Sequence, residues 1–114
     1  MTIPLRQLRL NHSTEIRAVF RDGRRLNDPH LRVVFRATER PHPRFCIQVG
    51  RRVSKKAVVR NRIRRRTREA FRAPFSAVGR GFDVVIMAQI GVATLPWEEL
   101  RERSLRLVER IAAQ

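Results

Sequence analysis

The sequence predicts an α+β fold: a two-layer α-β sandwich with the element order αβββαβα or αββαβα. Three observations predict it. Two segments alternate apolar and polar residues with the period of a strand, and three others repeat their apolar residues at helical spacing. A further segment, "GFDVVIMA" at 81–88, is apolar almost throughout. The chain's 114 residues fit a single domain, 1–114. At 42% apolar residues it is rich enough for a packed core rather than a disordered tail.

The elements follow in order. "NHSTEIRAVFRDG" reads as a short helix, with Ser13 or Asn11 able to cap its start and Gly23 to end it. Ile16, Val19 and Phe20 form one apolar stripe at i, i+3, i+4 spacing. "HLRVVFRA" alternates: Leu31, Val33 and Phe35 point one way, Arg32, Val34 and Arg36 the other. "ERPHPR" holds two prolines and reads as a turn. "RFCIQVG" alternates again, with Phe45, Ile47 and Val49 inward and Arg44, Cys46 and Gln48 outward. Two consecutive strands with a short connection suggest an antiparallel pair. Ser54 can cap a second helix that runs to about Ala73, where Pro74 stops it. Residues 81–88 then make a strand buried on both faces. Thr94 can cap a last helix with Pro96 in its first turn, whose apolar positions are Trp97, Leu100, Leu107, Val108 and Ile111. The expected sandwich has its helices on one face of a small sheet and leaves the other face partly open.

Charge narrows the function. There are 26 Lys+Arg against 10 Asp+Glu, net +16, and only Lys55 and Lys56 are lysines. Such a field concentrates polyanions, with nucleic acid ahead of an acidic membrane. The arginine bias suits phosphate and base recognition, although GC-rich codon usage produces the same bias. The single cysteine, Cys46, excludes an intrachain disulfide and suits a reducing cytosol. It reads as a buried small apolar residue. The N-terminal "MTIPLRQLRL" interrupts its apolar residues with charge and does not read as a signal peptide. The longest apolar segment, "VVIMAQIGVA", is about half the ~20 residues a membrane helix needs. A cytoplasmic, soluble protein is expected.

The charge is concentrated in "AVVRNRIRRRTREAFR", residues 57–72, which holds seven arginines and one acid, Glu69. On a helical wheel Val59, Ile63, Thr67 and Ala70 share one stripe, with Phe71 at its margin. Arg60, Arg64, Arg65, Arg68 and Arg72 spread over the next half-turn, with Arg62 further round. A solvated surface helix is the ordinary explanation of a charge run, but it mixes signs at i, i+4 spacing. The last helix does so: residues 97–114 carry four arginines and four glutamates. Residues 51–72 carry net +10. Like charges at i, i+4 cost stability in the free protein, and a bound polyphosphate relieves that cost. The small side chains of the apolar stripe suit core packing rather than membrane insertion. No helix-turn-helix spacing or dimer-forming heptad is present.

No catalytic constellation is evident. His12, His30 and His42 are scattered, and no metal-ligand spacing or Gly-rich phosphate loop occurs. Asp83 and Asp22 read as turn or salt-bridge residues. Catalytic and metal-binding residues are therefore expected to be none, and the residues alone describe an RNA- or DNA-binding module.

The stretch "GRRVSKKAVVRNRIRRRTREAFR" resembles the signature of the bacterial ribonuclease P protein subunit. Arg60-Asn61-Arg62 match the family's Arg-Asn-Arg core. Arg65, Arg68, Glu69, Phe71 and Arg72 match the positions after it, and Arg51-Arg52 stand where two lysines are usual. The resemblance extends to "VFRDGRRL", "HLRVVFR" and "GFDVVIMA", and covers roughly residues 8–112. There are departures. Ile16 and Val34 stand where aromatic residues are common in a cleft for the single-stranded precursor-tRNA leader. Phe20 is kept, Arg32 is gained, and Arg66 replaces a usual leucine and is expected to snorkel to solvent or phosphate.

The resemblance implies a small mixed sheet with a left-handed βαβ crossover through the arginine helix, against the usual hand. It implies the protein subunit of an RNA-catalysed endoribonuclease that removes the 5′ leader of precursor tRNA. The partners would be ribonuclease P RNA and precursor tRNA, with no membrane and no protein partner. No cofactor would be held by the protein alone; Mg²⁺ would act with the catalytic RNA. The catalytic-RNA face would comprise Arg51, Arg52, Lys55, Lys56, Arg60, Asn61, Arg62, Arg64, Arg65, Arg68 and Arg72. The leader face would comprise Ile16, Phe20, Arg32, Val34 and Arg36. The competing readings are a small basic ribosome-associated RNA-binding protein and, more remotely, a stand-alone nuclease.

Overall fold

The structure, a computed structural model, describes residues 3–114. Met1 and Thr2, where the N-terminal signal was sought, lie outside the described residues. The elements are α1 (Ser13–Asp22), β1 (Arg24–Asn27), β2 (Leu31–Ala37), β3 (Arg44–Val49), α2 (Ala57–Ser76), β4 (Phe82–Ala88) and α3 (Trp97–Ala112). Short 3-10 turns at Leu5–Leu8 and Val92–Thr94 precede α1 and α3. The order is the three-strand form of the expected pattern. β1 is a short edge strand whose Arg24, Arg25 and Asn27 are exposed, a composition that discourages edge-to-edge pairing. No helix among the described residues is long and apolar enough to cross a membrane.

The four strands form a mixed sheet in the order β1-β2-β4-β3. β2 and β3 are not the antiparallel pair their adjacency suggested. β4 lies between them, antiparallel to β2 and parallel to β3. The reason is in β4's own composition: a strand apolar on both faces loses most by sitting at an edge. β3, α2 and β4 thus make a parallel crossover unit. One face of the sheet presents Val33, Phe35, Phe45, Ile47, Val84 and Ile86 to the main core, with Ile63, Phe71, Phe75, Leu100 and Leu107 from α2 and α3.

The other face is not left open along its length. α1 crosses it, and Val19 packs on Val34 and Val85 with Leu10, Ile16, Phe20, Cys46 and Met87 in a second, smaller cluster. Gly23 permits this approach: a Cβ there would stand 2.3 Å from the Val19 carbonyl oxygen and 2.9 Å from that of Phe35. Cys46 is accordingly half-buried rather than outward, and burial pushes its thiol pKa up to about 11, so it stays protonated and unreactive at neutral pH.

The helix boundaries differ from expectation in four places. None of Ser13, Asn11, Ser54 and Thr94 caps a helix: the N-cap positions of α1, α2 and α3 are His12, Lys56 and Pro96, each without a side-chain cap. Thr94 instead donates its hydroxyl to the Gly91 carbonyl. Ser54 accepts from the Lys56 N–H in a turn just before α2. Pro74 lies inside α2, which continues to Ser76. An interior proline costs roughly 3 kcal/mol. Full burial of Phe71 and Phe75, roughly 1.5–3 kcal/mol each, offsets it, with Phe75 stacked on Phe45 at 4.9 Å and on Phe71 at 5.7 Å.

Candidate nucleic-acid interface

α2 carries the densest charge, and its packing explains which arginines face solvent. Ile63, Thr67, Ala70, Phe71 and Phe75 are buried, with Val59 half-buried beside them. This is the stripe the wheel predicts, extended by one turn. Thr67 satisfies its buried hydroxyl by donating to the Ile63 carbonyl at 2.8 Å. Asn61, Arg62 and Arg65 are exposed, and Arg60, Arg64, Arg68 and Arg72 are half-buried.

Two of these side chains are oriented locally. Arg60 donates to the Ser54 carbonyl at 2.9 Å, tying the helix start to the preceding turn. Arg64 donates to Asn61 Oδ1 at 2.6 Å, so Asn61 organises the first turns rather than standing free. Arg66 departs from the expectation that it snorkels outward. It donates to the carbonyls of Val92 and Leu95 and lies 6.0 Å from the Trp97 ring, tying α2 to the 3-10 turn and the start of α3.

The electrostatics of α2 and α3 differ sharply. On α3, Arg101 pairs with Glu98 at 3.3 Å, Arg103 with Glu99 at 3.0 Å and Asp28 at 2.8 Å, and Arg106 with Glu102 at 3.7 Å. On α2 the ion pair found is Arg72 with Glu69, at the outer limit of 4.0 Å. Among the described residues Arg60, Arg62, Arg64, Arg65 and Arg68 have no carboxylate partner, nor do Arg51, Arg52, Lys55 and Lys56 in the exposed segment leading to α2. Burial, and then the like charges of Arg9, Arg64 and Arg65, hold the Arg68 guanidinium below its usual pKa. Arg9, which the pattern of residues 57–72 did not reveal, joins this face from the N-terminal segment, bridged to Phe45. Its only sequence signal is its charge.

The residues expected at a leader site divide between three places. Arg32, Met87 and Gln48 are register neighbours across β2, β4 and β3. With Arg52 and the exposed Ile90 they line an open groove of about 510 Å³. Ile16 and Phe20 are half-buried on α1 and pack, as Met87 does, against the cluster of Leu10, Val19, Val34 and Val85; of the three, Met87 lines the groove. Val34, expected on a cleft wall, is only 1% exposed because α1 covers it. Arg36 lies at the opposite end of β2 and pairs with Asp22 at 3.5 Å. Gln48, Met87 and Ile90 were not singled out beforehand. Gln48 and Ile90 did carry a signal, an outward polar position and an apolar residue past a strand's end.

Arg44, read as outward, is 8% exposed. Its guanidinium donates to both oxygens of the buried Asp83, at 3.0 and 2.9 Å, and to both of Glu15 on α1, at 3.3 and 2.7 Å. The Arg44 hydrogen bond holds the Glu15 carboxyl below its ordinary range. This bridge ties α1 to the sheet.

Fold and charge together define a class: a small mixed-sheet protein whose densest run of uncompensated cations sits on one crossover helix and the segment before it. The family model "Ribonuclease P" matches residues 5–112. The chain belongs to the ribonuclease P protein family. A ribonuclease P protein component of Yersinia pestis is 35% identical over 109 residues, covering 96% of this chain and 91% of that protein. One from Microcystis aeruginosa is 34% identical over 106 residues, covering 89% and 88%. The RNase P protein from Thermotoga maritima superposes with a TM-score of 0.79 at 28% identity, covering 90% of this chain and 96% of that one. That from Staphylococcus aureus shares the fold, with a TM-score of 0.76 at 24% identity over 92% of this chain and 94% of that one.

Proposed function

We propose that this chain is the protein subunit of a ribonuclease P that matures the 5′ end of tRNA, with the catalytic RNA bound along the solvent face of α2. The observation that carries the reading is the contrast between helices. α3 neutralises three of its four arginines with carboxylates, whereas α2 leaves its arginines crowded against one another. A phosphate backbone supplies the missing counter-charge, and arginine's fork takes two phosphate oxygens at once.

The groove at Arg32 receives the single-stranded leader of precursor tRNA. Arg52 joins it to the basic segment before α2, so one RNA–protein assembly can span both surfaces. The groove is lined by Arg32 and Arg52 and by no aromatic side chain among the described residues, so it relies on arginine more than on stacking. On this reading the protein binds and positions, and cleavage with Mg²⁺ belongs to the RNA. The setting is the cytoplasm.

The test is precursor-tRNA cleavage by ribonuclease P RNA at low Mg²⁺, with and without the protein, and by the protein alone. The protein should raise kcat/KM with the RNA present and cleave nothing alone. Cleavage by nuclease-free protein, or no effect on the RNA's reaction, contradicts the proposal.

A further inference from the structure

A second cationic pocket lies at the far end of β2 from Arg32. It has a volume of about 240 Å³, and Arg24, Arg36 and Arg80 converge on it over Phe35 and Phe82. We propose that Arg24, Arg36 and Arg80 form a phosphate-binding pocket that takes one backbone phosphate of an RNA strand, separate from the arginine face of α2. The RNA source rests on the function proposed above; the phosphate chemistry does not.

Each arginine is held differently. Arg80 lies over the Phe82 ring at 4.9 Å, which keeps its guanidinium at the rim. Arg24 donates to Gln114 Oε1 at 2.9 Å and keeps its remaining N–H groups for a ligand. Arg36 Nε is buried and finds no hydrogen-bond partner among the described residues. The Arg36 side chain as a whole is 34% exposed, so its terminal nitrogens are what an anion in the pocket would reach.

Two glycines fix the roots of these side chains. A Cβ on Gly23, next to Arg24, would press on the Phe35 carbonyl oxygen at 2.9 Å. A Cβ on Gly81, next to Arg80, would stand 2.3 Å from the Arg40 carbonyl oxygen. The close approaches pin both backbones, so the arginines start from set positions. Asp22 is the acid in the lining, and Arg21 already holds it with two hydrogen bonds, at 3.1 and 3.0 Å. Asp22 also pairs with Arg36 at 3.5 Å, so its one charge is shared between Arg21 outside the lining and Arg36 within it, and three arginines against one acid keep the pocket positive. β1 and β2 lie on the side of the sheet away from β3, the strand on which α2 packs. An RNA phosphate here is thus not simply an extension of the α2 contact.

Two sources carry the same chemistry: a leader phosphate upstream of the groove, or a phosphate of the catalytic RNA. The full-length protein titrated with inorganic phosphate, against chloride at matched ionic strength, should show saturable NMR shifts of the Arg36 and Arg80 Nε–H signals. Arg80→Ala should weaken that binding about tenfold, with Arg80→Lys intermediate because it keeps charge and loses the fork. Arg24→Ala serves as the second variant, and an unchanged melting temperature verifies the fold of each. In the reconstituted enzyme, a loss of substrate affinity that grows with leader length assigns the leader. An equal loss of assembly affinity, whatever the substrate, assigns the catalytic RNA. Either result supports the site. Shifts no larger than chloride produces overturn it. Phosphate binding with both RNA affinities unchanged in both variants overturns it as an RNA site. If wild-type protein fails to assist ribonuclease P RNA, the proposed function fails while the phosphate titration still decides the pocket.

Discussion

Arg44 shows how one side chain fastens a helix to the sheet. It fills the space between Asp83, 1% exposed on the central strand, and Glu15 on α1. Arg44→Ala leaves Asp83 buried and uncompensated, which should cost roughly 3–5 kcal/mol, read by chemical denaturation. Glu15 gives the bridge a pH dependence. Its folded pKa is lowered, chiefly by the Arg44 hydrogen bond. Its contribution is therefore present above the pKa of the unfolded chain and disappears as pH falls through the lower folded value. Melting curves between neutral and acid pH should show Glu15→Gln less stable at neutral pH and converging on wild type in acid. Parallel curves at all pH values would remove Glu15 from the account. Arg66 and Arg65 make a second pair of opposites one residue apart. Arg66 ties down the Val92 and Leu95 carbonyls, whereas Arg65 is exposed. Arg66→Ala should lower the melting temperature with little direct effect on RNA affinity. Arg65→Ala should leave melting unchanged and weaken RNA binding by roughly 1.5–3 kcal/mol, the worth of a charge-assisted bond.

At the scale of elements, α1 does two things: it shields Val34 and Val85, and it carries Phe20 on the same small cluster as Met87, a residue that lines the groove. Phe20→Ala should raise the KM for precursor tRNA that carries a leader and spare leaderless tRNA. A folded variant with an unchanged ratio of the two would make Phe20 core alone. α2 and β4 were the most legible elements, because their patterns report local physics. Ile63, Thr67, Ala70 and Phe71 repeat at helical spacing whatever packs on them, and 81–88 is apolar on both faces. Their neighbours were less legible. Whether β2 pairs with β3 or β4 depends on a strand more than thirty residues away, and "RFCIQVG" reads the same in either register. Arg44 looked outward because alternation assigns faces and cannot show that α1 covers one of them. The same cover hid Val34. Arg66 looked solvent-seeking because its carbonyl partners arrive from a 3-10 turn with no signature of its own. Caps failed for a similar reason: Ser13 and Thr94 have the right chemistry, yet the chain enters each helix one or more residues away.

The molecule as a whole separates its charges by face. Carboxylates pair with three of the four arginines of α3, and the densest run of uncompensated cations lies on α2 and the segment before it. RNA binding should therefore fall steeply with salt, with a slope in log K of about −0.7 to −0.9 per phosphate neutralised. A flat dependence would mean that the charge is not at the contact. The central claim is that the position of the charge, rather than its total, holds the catalytic RNA. The most direct test compares two double variants of equal charge by their affinity for ribonuclease P RNA: Arg62→Ala/Arg65→Ala on α2, and Arg106→Ala/Arg110→Ala on α3. The α2 pair should lose at least about a hundredfold, two charge-assisted contacts at roughly 1.5–3 kcal/mol each, and flatten the salt slope. The α3 pair should bind within a few-fold of wild type. Equal losses from the two pairs would contradict the account.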